Sequence, residues 1–111
     1  MLTEQEMLEI AEHYMTFSSH DDIELVLYYD GVIRKPYGNI YRYDNKKEIE
    51  TGEFKYHVIS GPFLVEKETS RVVNFGTARP KEFYFEAYEN GTLEPSLDLY
   101  WYPEDERYSH K

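Results

Sequence analysis

At 111 residues with no cysteine and a formal charge of −10, the chain has room for one domain and one core. The missing cysteines exclude a disulfide scaffold, a thiolate zinc site and thiol catalysis. No stretch approaches the roughly 20 apolar residues of a membrane-spanning helix, and so negative a field repels nucleic-acid phosphates and anionic membrane surfaces.

The first element is a helix. Thr3 with Glu6 three residues on is the capping-box pattern, and Leu2 and Met7 are spaced for a hydrophobic staple. Met7, Ile10, Ala11, Tyr14 and Phe17 fall on one stripe. The pattern stops at Ser18-Ser19-His20-Asp21-Asp22, a polar loop. Ile23 to Tyr29 reads as a strand with Ile23, Leu25, Leu27 and Tyr29 on one face. Asp30-Gly31 turns it, and Val32-Ile33 begin a return strand that Pro36 and Gly38 interrupt. Asn39 to Tyr43 is the next strand, followed by the polar turn Asp44-Asn45-Lys46-Lys47. Residues 48–60 are too broken for a full helix and are expected as a loop with one helical turn.

Beyond Gly61-Pro62, Phe63-Leu64-Val65 and Val72-Val73-Asn74-Phe75 are two apolar runs joined through Glu66 to Arg71, as in a hairpin. Pro80 suits the first position of a second helix, with Tyr84, Ala87 and Tyr88 on one face and Gly91 as its stop. The alternation of Phe83, Phe85 and Ala87 also fits a strand; helix is favoured. Leu97 to Tyr102 alternates cleanly as a strand, which Pro103 ends. Strands in succession without crossover helices predict an antiparallel sheet of about four to six strands. The expected class is α+β in two layers, both helices on one face of the sheet. Residues 1–103 form the domain and residues 104–111 a flexible acidic tail.

The charge is unevenly placed. Residues 1–33 carry eight carboxylates and no Lys or Arg, residues 34–80 nine basic and six acidic side chains, and residues 81–111 eight acidic and three basic. Such a field attracts a basic protein and speeds its encounter, and it equally keeps a domain dispersed. Twelve of the aromatic residues are Tyr, a type that suits half-buried sheet faces and binding surfaces alike.

No constellation reads as catalytic. His13, His20, His57 and His110 have no zinc-site spacing. The serines have no nucleophile elbow, and the glycines form no phosphate-cradling loop. Asp21, Asp22 and Glu24 lack the Gly and closing Glu of a calcium loop. The expectation is a protein without enzymatic activity, cofactor or metal. The opening Met1-Leu2-Thr3-Glu4 lacks the basic and then apolar regions of a secretory signal, so a cytoplasmic location is expected.

Pro36-Tyr37-Gly38-Asn39-Ile40-Tyr41-Arg42-Tyr43, then Glu50-Thr51-Gly52-Glu53-Phe54 and Gly61-Pro62-Phe63-Leu64-Val65-Glu66-Lys67-Glu68-Thr69, resemble the immunity protein 35 domain, the YrhB-like family. Val72-Val73, Phe75-Gly76-Thr77-Ala78 and the Pro80 helix with Tyr84 and Tyr88 continue the match in order and spacing, over roughly residues 23–91. Two positions depart from the family pattern: Asn39 stands where an aromatic is usual, and Ser70 where a Gly is usual. The resemblance implies a small cytoplasmic protein that binds and blocks a cognate polymorphic toxin encoded beside it, by stoichiometric, non-catalytic binding. The alternative is a small-ligand-binding or chaperone-like α+β module with no dedicated toxin.

On the immunity reading, acidic residues steer a basic toxin and an aromatic cluster anchors it. The candidate contact residues are Tyr100, Trp101 and Tyr102 with Glu104, Asp105 and Glu106, and in second place Asp21, Asp22 and Glu24. Trp101 is either an anchor or core. The chain is expected as a monomer, or as a homodimer paired through the edge strand Leu97–Tyr102.

Overall fold

In the computed structural model, residues 1–19, 23–52, 61–94, 96 and 99–109 are described. Helix α1 spans Glu4–Ser18 and opens with the expected capping box. The Glu6 amide donates to Thr3 Oγ1 at 3.1 Å, and the Thr3 amide donates to Glu6 Oε1 at 2.9 Å. Strand β1 (Leu25–Leu27), a 3-10 turn at Tyr29–Gly31, and strands β2 (Ile33–Lys35), β3 (Gly38–Tyr41) and β4 (Tyr43–Asn45) follow. A short helix α2 (Lys46–Thr51) comes next. Strands β5 (Phe63–Glu66) and β6 (Val72–Asn74), helix α3 (Lys81–Asn90) and strands β7 (Tyr100–Tyr102) and β8 (Arg107–Ser109) complete the order.

The class is α+β, and every strand pairing is antiparallel. β1 and β4 form a two-stranded ribbon, and the main sheet runs β2-β3-β5-β6-β7-β8. Side chains alternate across this sheet and build two cores. On one face Tyr41, Phe63, Val65, Val72 and Trp101 pack on Met7, Ala11, Tyr14 and Met15 of α1 and on Leu25 and Leu27 of β1. On the other, Ile40, Leu64, Val73, Phe75 and Leu99 pack on Phe85 of α3.

The two helices therefore lie on opposite faces, which corrects the expectation that one face carries both. The reason is written in β5: Phe63-Leu64-Val65-Glu66 is buried at every position. A strand apolar on both sides needs cover on both sides.

Further elements differ from expectation. The Asp44–Lys47 turn is instead the end of β4 and the start of α2, because Asn45 caps that helix by accepting from the Lys47 amide at 3.1 Å. Within 48–60 the expected helical turn is present as the end of α2 at Thr51, and residues 53–60 lie outside the described residues. Residues 104–109, expected as part of a flexible tail, are a turn and strand β8, which pairs Tyr100 with Ser109 and Trp101 with Tyr108. Pro103 ends β7 because it has no N–H to donate, but a chain reversal at Glu104–Glu106 returns the backbone to the sheet.

Three expected strands have other bounds. Ile23–Tyr29 is strand only over Leu25–Leu27 and then turns as a 3-10 helix. Asn39–Tyr43 divides at Arg42 between β3 and β4, in different sheets. The expected edge strand Leu97–Tyr102 is strand over Tyr100–Tyr102 and lies inside the sheet between β6 and β8, with residues 97 and 98 outside the described residues. The β5–β6 hairpin forms, and its turn keeps a left-handed residue, Ser70 at φ 64°. That is the conformation a Gly adopts without strain. α3 is a helix, not a strand, and closes on Gly91 at φ 72°. Asn39 is buried on the α1 face, where its Nδ2 donates to the Tyr41 hydroxyl at 3.3 Å.

Candidate functional site

Helix α1 crosses the main sheet with β1 and the 3-10 turn along one flank and the β7–β8 hairpin along the other. On the hairpin side, His13 and Phe17, one helical turn apart, meet Glu106 and Tyr108. His13 Nε2 lies 3.2 Å from Glu106 Oε2, and the Phe17 and Tyr108 rings are 6.0 Å apart in an edge arrangement. Tyr14, between them on the helix, donates its hydroxyl to Asn74 Oδ1 at 2.9 Å and accepts from the Tyr108 hydroxyl at the same distance. Burial, and then the Tyr108 hydrogen bond, hold the Tyr14 phenol protonated far above its ordinary range.

On the other flank the Tyr29 hydroxyl donates to Glu12 Oε2 at 2.8 Å. That bond to a carboxylate, with partial burial, raises the Tyr29 phenol. A groove of about 370 Å³ runs beside it, lined by Glu12, Met15, Thr16 and Glu24 among others.

Three aromatic rings stand open on this face: Tyr29 at 60%, Phe17 at 38% and Tyr108 at 36% exposure. Around them are the exposed carboxylates Glu9, Glu12, Glu24, Asp30, Glu104, Asp105 and Glu106. The chain from Met1 to Ile33, which supplies most of this surface, contains no Lys or Arg. An exposed aromatic group in a mainly acidic surround is an arrangement for docking a protein of the opposite sign.

The residues expected at the contact surface are dispersed. Trp101 has no exposure and packs under His13, Tyr14 and Phe17, with ring centroids at 5.1, 5.0 and 5.1 Å. It belongs to the core cluster under α1. Tyr100 and Tyr102 alternate to the opposite face, where the Arg71 guanidinium sits 3.8 Å from the Tyr100 ring centroid. Glu104, Asp105 and Glu106 are exposed on the hairpin turn. Glu24 is exposed and lies 3.7 Å from Lys46. Asp21 and Asp22 lie outside the described residues.

Sequence reasoning did not find Phe17, Tyr29 or Tyr108 as surface residues. Phe17 fits the helical stripe, yet α1 turns Met15 inward and leaves Phe17 at the rim. The available signal for Tyr108 was the turn chemistry of Pro103-Glu104-Asp105 just before Arg107-Tyr108-Ser109.

The α3 face offers a cleft of about 460 Å³, open to solvent and lined by Tyr37, Arg71, Tyr88, Glu89, Leu93 and Tyr100 among others. Its polar groups bond to one another. The Tyr37 hydroxyl donates to Glu89 at 2.6 Å, and Arg71 and the Tyr88 hydroxyl both donate to Glu66. Among the described residues no group of three or more His, Asp or Glu side chains stands ready for a metal ion, and no helix is long and apolar enough to cross a membrane.

Comparison with known proteins adds no relative: a scan against protein-family models, a search of curated proteins and a search of solved structures each returned no match.

Proposed function

We propose that this chain works by occupying a basic protein through the acidic, aromatic face of α1, and that it is an immunity protein neutralising a toxin without catalysis. The observation that carries the reading is the placement of the exposed Tyr29, Phe17 and Tyr108 rings within carboxylates on a surface drawn mainly from a segment that has no Lys or Arg. The rings supply desolvated contact area, and the charges steer the encounter and fix orientation. The resemblance of residues 23–91 to the YrhB-like family supports a toxin as the partner. The internally paired polar groups of the α3-face cleft favour this surface over a small-molecule site.

The test is co-expression of the chain with the toxin-like protein encoded beside its gene, scored by cell growth. Rescue at a one-to-one complex is expected. Replacing both Glu9 and Glu12 by Lys should abolish rescue while leaving the fold intact, since both side chains are exposed. Rescue that survives this reversal overturns the assignment of the face, and turnover of any substrate by the purified chain overturns the non-catalytic reading.

A further inference from the structure

We propose that the seam between α1 and the β7–β8 hairpin, where His13 and Phe17 face Glu106 and Tyr108, is the seat for an arginine side chain of the basic partner. This rests on the reading of the acidic face and names the chemistry that the face recognises.

The seat has three parts. Phe17 and Tyr108 present ring surface at 38% and 36% exposure, side by side. Glu106 presents a carboxylate with a side chain 55% exposed, whose hydrogen-bond partner among the described residues is the His13 imidazole. The floor is the Trp101 ring, wholly buried, its indole N–H without an acceptor among the described residues. An aromatic wall beside a carboxylate meets both recognition modes of a guanidinium, which stacks flat on rings and forks a carboxylate with two parallel donors. An ammonium has neither the plane nor the fork.

The same molecule already contains this chemistry in closed form. Arg71 lies 3.8 Å from the Tyr100 ring centroid while its Nε and Nη2 donate to the two oxygens of Glu66. At the α1 seam the rings and the carboxylate are present and the chain supplies an imidazole where Arg71 supplies a guanidinium.

Charge selects the occupant. A second copy of this chain would bring its own Glu104, Asp105 and Glu106 and its own carboxylate-rich first 33 residues against the seat, and like charges repel. A nucleic acid is repelled in the same way. A protein surface carrying Arg is attracted.

The experiment titrates the intact chain with polyarginine and polylysine peptides of equal length at low salt. Calorimetry reads affinity, and backbone amide NMR shifts read location. Polyarginine should bind about two- to fivefold tighter than polylysine, the size of one exposed cation–π contact, with its largest shifts at Phe17, Glu106 and Tyr108. Glu106→Asn removes the charge and keeps a residue that tolerates the left-handed backbone at this position, φ 47°. It should fold at least as stably and lose the preference for arginine. Phe17→Ser should also lose it, whereas Glu86→Gln, on the exposed side of α3, should keep it. Equal affinity for the two peptides with shifts still on the α1 face overturns the seat and leaves the acidic-face reading standing. A preference that persists in both Glu106→Asn and Phe17→Ser also overturns the seat. Absence of shifts on the α1 face with either peptide overturns the seat and the broader reading together.

Discussion

Glu66 and Arg71 meet as a two-pronged fork at the closed end of the β5–β6 hairpin, Nε to Oε1 at 2.7 Å and Nη2 to Oε2 at 2.9 Å. Thr69 and Tyr88 donate to the same carboxylate, so α3 and the hairpin turn are fastened to one buried group. A carboxylate buried in a sheet is stable only when its lone pairs are taken up, and here four donors take them up. Glu66→Gln should destabilise the fold by about 2–4 kcal/mol, because it leaves the Arg71 charge half-buried and unpaired. A urea titration checks this, and Arg71→Met in the same background should recover part of the loss.

Stability should fall with acid in a way that depends on Glu66. Burial pushes its carboxyl up, but the hydrogen bonds from Arg71, Thr69 and Tyr88 outweigh burial and hold it below the ordinary value of 4.5. A carboxyl lowered on folding binds fewer protons in the folded state than in the unfolded one, so stability rises with pH across that interval. The contribution is complete above about pH 4.5 and is lost as pH falls through the lower, folded-state value. Melting temperatures measured between pH 7 and pH 3 should converge for the native chain and Glu66→Gln at the acid end. Parallel profiles would remove Glu66 as the cause.

Trp101→Ala should cost about 3–5 kcal/mol, the range for deleting a fully buried aromatic. Trp101→Phe should cost much less, since it keeps a ring against Tyr14 and Phe17 and removes an indole N–H that has no acceptor among the described residues. Chemical denaturation of the two variants gives the ratio. The single tryptophan also predicts a blue-shifted emission for the folded chain that moves red on unfolding.

Two backbone positions should respond in opposite directions. Ser70→Gly relieves a left-handed residue at φ 64° and should raise stability by about 0.5–1 kcal/mol. Gly38→Ala should be strongly destabilising, because a Cβ there would stand 2.1 Å from the Val65 carbonyl oxygen, in the register where β3 pairs β5. Thermal melts of both variants decide the pair, and a neutral Gly38→Ala would mean that the β3–β5 approach is looser than described.

Local chemistry made several elements readable in advance. The Thr3–Glu6 box, the Gly91 stop and the Phe63-to-Phe75 hairpin each depend on residues within a few positions of one another, and each forms as expected. Elements whose stability comes from distant partners were not readable. β8 is short and mostly exposed, and it exists because β7 offers an edge to pair with. α2 depends on the Asn45 cap and on the Lys46 amide donating to the Glu24 carbonyl at 2.8 Å. The acidic half of the candidate surface was visible in the count of carboxylates over residues 1–33. Its aromatic half was not, because Phe17 and Tyr108 are 91 positions apart and become neighbours only across α1 and β8.

By itself the amino-acid order determined the α+β class, the antiparallel pairing and the negative field, since these follow from periodicity, turn chemistry and charge, which need no knowledge of distant contacts. The tertiary structure alone decided which face each helix covers, that Trp101 is core, and that Phe17, Tyr108 and Glu106 share one surface. The physical reason is strand alternation: one residue of register sends a side chain to the other side of the sheet, and only the packed sheet shows which side is covered.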